Sequence, residues 1–146
     1  MRLMVCAVVT GLLCASAHGL TMLYFESEPG SFVGQGETWR VTPEDGYEFR
    51  ILNTYGNGIN IFVDNFATAP SADEHNWTLQ LFPITGDTLV VGEYANAERF
   101  ASPTNPGMDF YGDGRGYNET EGFYEILEIE FDGDGKVTKL AADFTQ

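Results

Sequence analysis

Beyond residue 20, apolar side chains fall in short runs separated by turn-forming clusters, and several runs alternate apolar with polar positions. Successive side chains of a strand point to opposite sides, so Trp77, Leu79 and Leu81 share one face of an extended Trp77-Thr78-Leu79-Gln80-Leu81 segment. The same period in 123–131 sets Phe123, Leu127, Ile129 and Phe131 inward and Glu128 and Glu130 outward. Strands are predicted at 22–27, 38–42, 47–53, 59–64, 77–82, 88–94, 108–111, 123–131 and 137–144. Between them lie Pro29-Gly30, Pro43-Glu44-Asp45-Gly46, Tyr55-Gly56-Asn57-Gly58, Thr85-Gly86-Asp87 and Asp132-Gly133-Asp134-Gly135. These supply the fixed or positive φ angles that reverse a chain. The last of them, between 123–131 and 137–144, is the strongest hairpin signal, with Lys136 and Lys139 placed to offset glutamates across the pair. No run keeps a helical apolar period for three turns; only 95–100 reads as one helical turn, and 67–76 and 95–107 read as long loops. The fold class is all-β: a single-domain, mostly antiparallel β-sandwich of about eight or nine strands.

The first residues follow a different pattern. Arg2 precedes an apolar block over 3–17, interrupted by Thr10, Gly11 and Ser16 and ending in Ala15-Ser16-Ala17. A positive start, an apolar core and a small-residue cleavage site make a secretory signal, and the block is too short for a membrane anchor. The chain therefore divides into a signal at 1–17, with cleavage as late as Gly19, and a β-sandwich domain at 20–146. The expected location is secreted, extracellular or periplasmic. Cys6 and Cys14 both lie in the signal, so the exported domain is expected to hold together by its core, without a disulfide.

Composition narrows the partners. The 146 residues carry 22 acidic and 7 basic side chains, a formal net charge of -15. With 43% hydrophobic and 14% aromatic residues, the chain has the means to build a core that a disordered acidic tail lacks. No basic stripe exists to displace counterions from a nucleic acid, and no polybasic segment to hold a membrane surface. The expected state is a monomer, not inserted in a membrane after signal cleavage, facing an extracellular glycan or protein surface.

Several constellations could carry chemistry. In 109–121, Asp109, Asp113, Asn118, Glu119 and Glu121 supply oxygens and the glycines supply bends, the elements of a calcium site. The same stretch also reads as a glycine-rich turn in which Asp113 pairs with Arg115, and no cofactor is then required. Asp132-Gly133-Asp134-Gly135-Lys136 imitates the start of an EF-hand loop, but Lys136 at its fifth position and Asp143 at its twelfth favour a hairpin turn. Cleavage after Ala17 would make His18 the N-terminus. With His75 it would form the nitrogen set of a copper monooxygenase brace, the one enzyme alternative the sequence raises. A serine or cysteine nucleophile has no supporting motif, and carboxylates this numerous predict no glycosidase pair by their number. Among the aromatics, Trp39 and Trp77 read as core. Tyr55, Tyr111 and Tyr117 stand beside glycines and read as exposed ligand-binding rings, suited to stacking on carbohydrate.

Four motifs and a closing segment, in order, resemble a family of small secreted bacterial proteins. The first is Leu23-Tyr24-Phe25-Glu26-Ser27-Glu28-Pro29-Gly30-Ser31-Phe32-Val33-Gly34-Gln35-Gly36; Val91-Gly92-Glu93-Tyr94 follows, with Ala97, Arg99 and Phe100 nearby. Pro106-Gly107-Met108-Asp109, Gly112-Asp113-Gly114-Arg115-Gly116 and a closing Ala141-Ala142-Asp143-Phe144-Thr145-Gln146 continue the agreement. The resemblance implies an all-β extracellular module and carries no catalytic residue across. Members usually have a cysteine where Tyr117 stands and another just beyond Gln146, so the disulfide they suggest is absent from this chain. Together these readings describe a secreted, non-catalytic β-sandwich with a binding or structural role. Carbohydrate binding, supported by calcium or not, and the copper brace are the alternatives.

Overall fold

The computed structural model describes residues 21–146 in full and residues 7–10 by their backbone. Residues 1–6 and 11–20 hold most of the predicted signal, with Cys6, Cys14 and His18, and lie outside the described residues. The strands are β1 (Ala7–Thr10), β2 (Leu23–Glu26), β3 (Thr38–Val41), β4 (Glu48–Asn53), β5 (Ile59–Asp64), β6 (Asn76–Phe82), β7 (Gly92–Glu98), β8 (Gly107–Gly112), β9 (Glu121–Phe131) and β10 (Val137–Thr145). Two single turns of 3-10 helix, Pro43–Asp45 and Tyr55–Asn57, are the only helical pieces among the described residues. None of these is long and apolar enough to cross a membrane.

The main sheet runs β1-β10-β9-β7-β8-β6-β5-β4, and β2 and β3 form a separate two-stranded ribbon. Among the described residues, all strand pairings are antiparallel except one parallel contact of β7 with β8, at Glu98 and Gly107. The sheet curls until β4 meets the start of β10. There Asn53 Nδ2 donates to Gly135 O at 2.6 Å, and Asn53 Oδ1 accepts from Val137 N at 3.4 Å. The curled sheet encloses Ile59, Ile61 and Val63 of β5, Trp77, Leu79 and Leu81 of β6, Met108 and Phe110 of β8, Tyr124 and Ile126 of β9, and Leu140 and Phe144 of β10. The ribbon covers this core through Phe25, fully buried, whose ring lies 5.0 Å from Phe110 and 5.5 Å from Trp77. Burying each such side chain contributes about 1.5–3 kcal/mol.

Three expectations need correction. First, the inward face of β9 is not Phe123, Leu127, Ile129 and Phe131 throughout. Tyr124 and Ile126 are fully buried, while Phe123, Leu127 and Phe131 are more than two-fifths exposed. For Phe123 and Leu127 the cause is a bulge: Ala141 pairs with Glu128 and Ala142 with Ile126, so Leu127 is the extra residue and the parity of the strand reverses there. Phe131 is the last residue of the strand, beside the hairpin turn. Second, 95–100 is not a helical turn. Residues up to Glu98 belong to β7, and Asn96 takes φ 54° inside a register shift between Tyr94 and Ala97. Third, the strand expected at 88–94 begins only at Gly92.

Candidate functional site

A groove of about 200 Å³ opens where three connections meet at one end of the sheet. Its walls are Tyr55 and Gly56 from the β4–β5 turn, Thr85 after β6, and Phe100 and Ala101 after β7, over a floor of Phe82 and Pro83. Tyr55 is 83% exposed and Phe100 68% exposed, whereas Phe82 is buried. The Tyr55 ring leans over Phe82, centroids 5.9 Å apart at 40°.

Local chemistry fixes each wall. Gly56 and Asn57 both take left-handed φ, 69° and 57°, the conformation that glycine and asparagine adopt most easily. Thr54 N donates to Gly58 O at 2.9 Å to close the turn, and Asn57 Nδ2 donates to Asp87 O at 2.7 Å to tie it to the next wall. Thr85 N donates to Ser102 O at 3.0 Å, joining the second wall to the third. The floor is held from beneath: the Tyr124 hydroxyl donates to Phe82 O at 2.6 Å, and the Tyr124 ring stacks on Tyr94 with centroids 4.5 Å apart. Burial, and Tyr94 beside it, push the Tyr124 hydroxyl far above the ordinary tyrosine pKa, so it stays a donor. The groove is thus preformed. Among the described residues that line it, the hydroxyls of Tyr55 and Thr85 are the only polar side-chain groups.

The three tyrosines expected to bind ligand do not share a surface. Tyr55 stands at the end of β6 marked by Phe82. Tyr111, on β8, faces Thr78 toward the opposite end and is half-buried. Tyr117 is also half-buried; its hydroxyl lies 2.8 Å from Ser31 Oγ and accepts from Phe32 N at 3.0 Å, fastening the loop between β2 and β3. Phe82 and Phe100, which complete the groove, escape sequence reasoning, because one reads as the end of a core strand and the other as part of a helical turn.

Several of the oxygens proposed for calcium are committed elsewhere, though Asp109 Oδ1 is buried without a hydrogen-bond partner. Asp109 is buried, 4% exposed, and its Oδ2 accepts from Arg99 Nε at 3.1 Å. The Asn118 carbonyl accepts from Arg99 Nη1 at 3.3 Å, so this guanidinium lies against two of the five intended ligands. Burial raises the pKa of Asp109 even though Arg99 acts to lower it. Glu119 and Glu121 are exposed. Among the described residues, no three His, Cys, Asp or Glu side chains group to hold a metal.

Asp113 does not pair with Arg115. Its Oδ1 accepts from Asn76 N at 2.9 Å and its Oδ2 lies 2.7 Å from His75 Nδ1, while Arg115 makes a backbone bridge to Gly112. His75 stacks on Trp77 at 5.7 Å and meets the edge of Trp39 at 4.7 Å. Trp77 is buried as expected, and Trp39 packs against the core half-buried. The carboxylate orients the imidazole and joins the start of β6 to the turn after β8. Compared with known protein families, curated proteins and solved structures, the chain matches none.

Proposed function

We propose that the chain is an exported, non-catalytic binding module whose ligand seat is the groove between Tyr55 and Phe100. One observation carries this reading: two large exposed rings line one groove over a buried aromatic floor, in walls already tied by hydrogen bonds. Exposed apolar surface gathered in a concave, prebuilt site is what ligand pockets use. The lining favours binding over catalysis, since among the described residues its side chains offer two hydroxyls and no carboxylate, imidazole or amine. Export is supported by the block over 3–17 and its Ala15-Ser16-Ala17 ending.

Saturation-transfer NMR against methyl glucosides, cyclohexanol and small organic cations tests the seat. At least one probe should receive magnetisation from the aromatic protons and lose it in a Tyr55→Ala/Phe100→Ala variant. Both rings are exposed, so that variant should melt within about 3 °C of the parent. Transfer that survives in the folded variant would place binding elsewhere and end this reading.

A further inference from the structure

We infer that the groove takes a quaternary ammonium group on a short stem, of the choline type, in solution. This inference rests on the groove being the ligand seat and names the chemistry it selects. Three rings, Tyr55, Phe82 and Phe100, line a space of about 200 Å³. Aromatic faces are electron-rich and attract cations, most strongly where water is excluded. The molecule already uses one of these rings so: the Arg99 guanidinium carbon sits 5.3 Å from the Phe100 centroid. The charge of Arg99 is paired with Asp109.

The polar inventory selects among cations. A primary ammonium brings three N–H donors, and the groove side chains offer it two hydroxyls, so burial would strip it of hydration without replacement. A quaternary ammonium has no N–H to satisfy. Its charge is spread over methyl groups that suit ring faces, and the hydroxyl on its stem can reach Tyr55 or Thr85. A sugar meets the opposite difficulty, with several hydroxyls against the same two partners. Charge complementarity points the same way. The chain carries 22 acidic against 7 basic side chains, and Asp87 is exposed on the wall that Asn57 fastens, so the surrounding field draws cations and repels anions.

Calorimetric titration of the full-length folded protein with choline and with its uncharged carbon isostere, 3,3-dimethylbutan-1-ol, tests the inference. Choline should bind at least about fivefold tighter than the isostere, and Tyr55→Ala and Phe100→Ala should each weaken it about fivefold, with Tyr55→Phe close to the parent. Choline-induced shifts of the Tyr55 and Phe100 ring protons, followed in the unmutated protein, make the same test without a variant. Equal affinity for the isostere would overturn the cation and leave the groove as a plain apolar seat. A methyl glucoside that binds and is lost in Tyr55→Ala, beside choline that does not bind, would overturn the ligand class alone. Binding to phosphatidylcholine vesicles without binding to free choline would overturn the soluble source. If no probe binds and no ring proton moves, both the inference and the seat fall.

Discussion

Asp143 shows how a single carboxylate can work against the fold. It lies on β10 opposite Glu125, and its Oδ1 is buried without a hydrogen-bond partner. Burial raises its pKa, which means the folded chain holds this proton more tightly than the unfolded chain does. The sign follows from linkage: stability falls as pH rises from the ordinary aspartate value through the raised one, and the loss is complete above it. Asp143→Asn removes the charge that burial disfavours. The variant should melt higher than the parent at pH 7, with the difference shrinking toward zero near about pH 3, where ordinary carboxylates are protonated. Thermal unfolding at several pH values checks this. A variant that melts lower at pH 7, or a gain that ignores pH, would show that Asp143 serves a contact through its charge. Asp109 is the contrasting case: it is buried more deeply, yet Arg99 answers one of its oxygens.

At the scale of elements, alternation is legible where packing follows the pleat and fails where the ladder slips. β5 and β6 fall close to their expected bounds because their core-facing residues are β-branched or large. β7 does not, because its sequence, Gly-Glu-Tyr-Ala-Asn-Ala-Glu, has weak strand preference. Pairing with β9 and the stacking of Tyr94 on Tyr124 hold it extended. The β-branched Val90 and Val91 just before it stay exposed. The extra residue at Leu127 likewise has no local signature, since a bulge is decided by two strands together. The groove was half legible for the same reason: Tyr55 announces itself beside glycines, whereas Phe82 and Phe100 become neighbours only through the sheet. Gly58 is the point where element and site meet. A Cβ there would stand 2.2 Å from Phe82 Cδ1, and with φ at -88° the backbone itself would accept alanine. Gly58→Ala must therefore act by pushing the Phe82 ring and the Leu81 carbonyl, whose oxygen would lie 2.9 Å from the new Cβ. It should cost about 1–3 kcal/mol in urea unfolding, as other overpacked sites do, and should narrow the groove. An unchanged midpoint would mean that the turn gives way instead of the ring.

For the whole molecule, the excess of acid sets a repulsion that local pairs only partly offset. Arg50 bonds Asp64 at 2.5 Å, Lys139 bonds Glu128 at 2.6 Å, and Arg99 holds Asp109 at 3.1 Å. Elsewhere like charges face each other directly across strands: Glu93 opposite Glu125, Glu98 opposite Glu121, and Glu125 opposite Asp143. Such cross-strand pairs destabilise a sheet, and a net charge of -15 adds a longer-range term that opposes compaction. Salt shortens the reach of both: the screening length falls from about 30 Å at 0.01 M to about 10 Å at 0.1 M. The melting temperature at pH 7 should therefore rise as sodium chloride is raised over that range. Glu121→Gln, which neutralises one member of a facing pair, should melt higher at low salt and respond less to added salt. A melting temperature that falls with salt would mean the few ion pairs outweigh the repulsion. A salt response unchanged by Glu121→Gln would assign the effect to the net charge alone, not to charges opposed across β7 and β9.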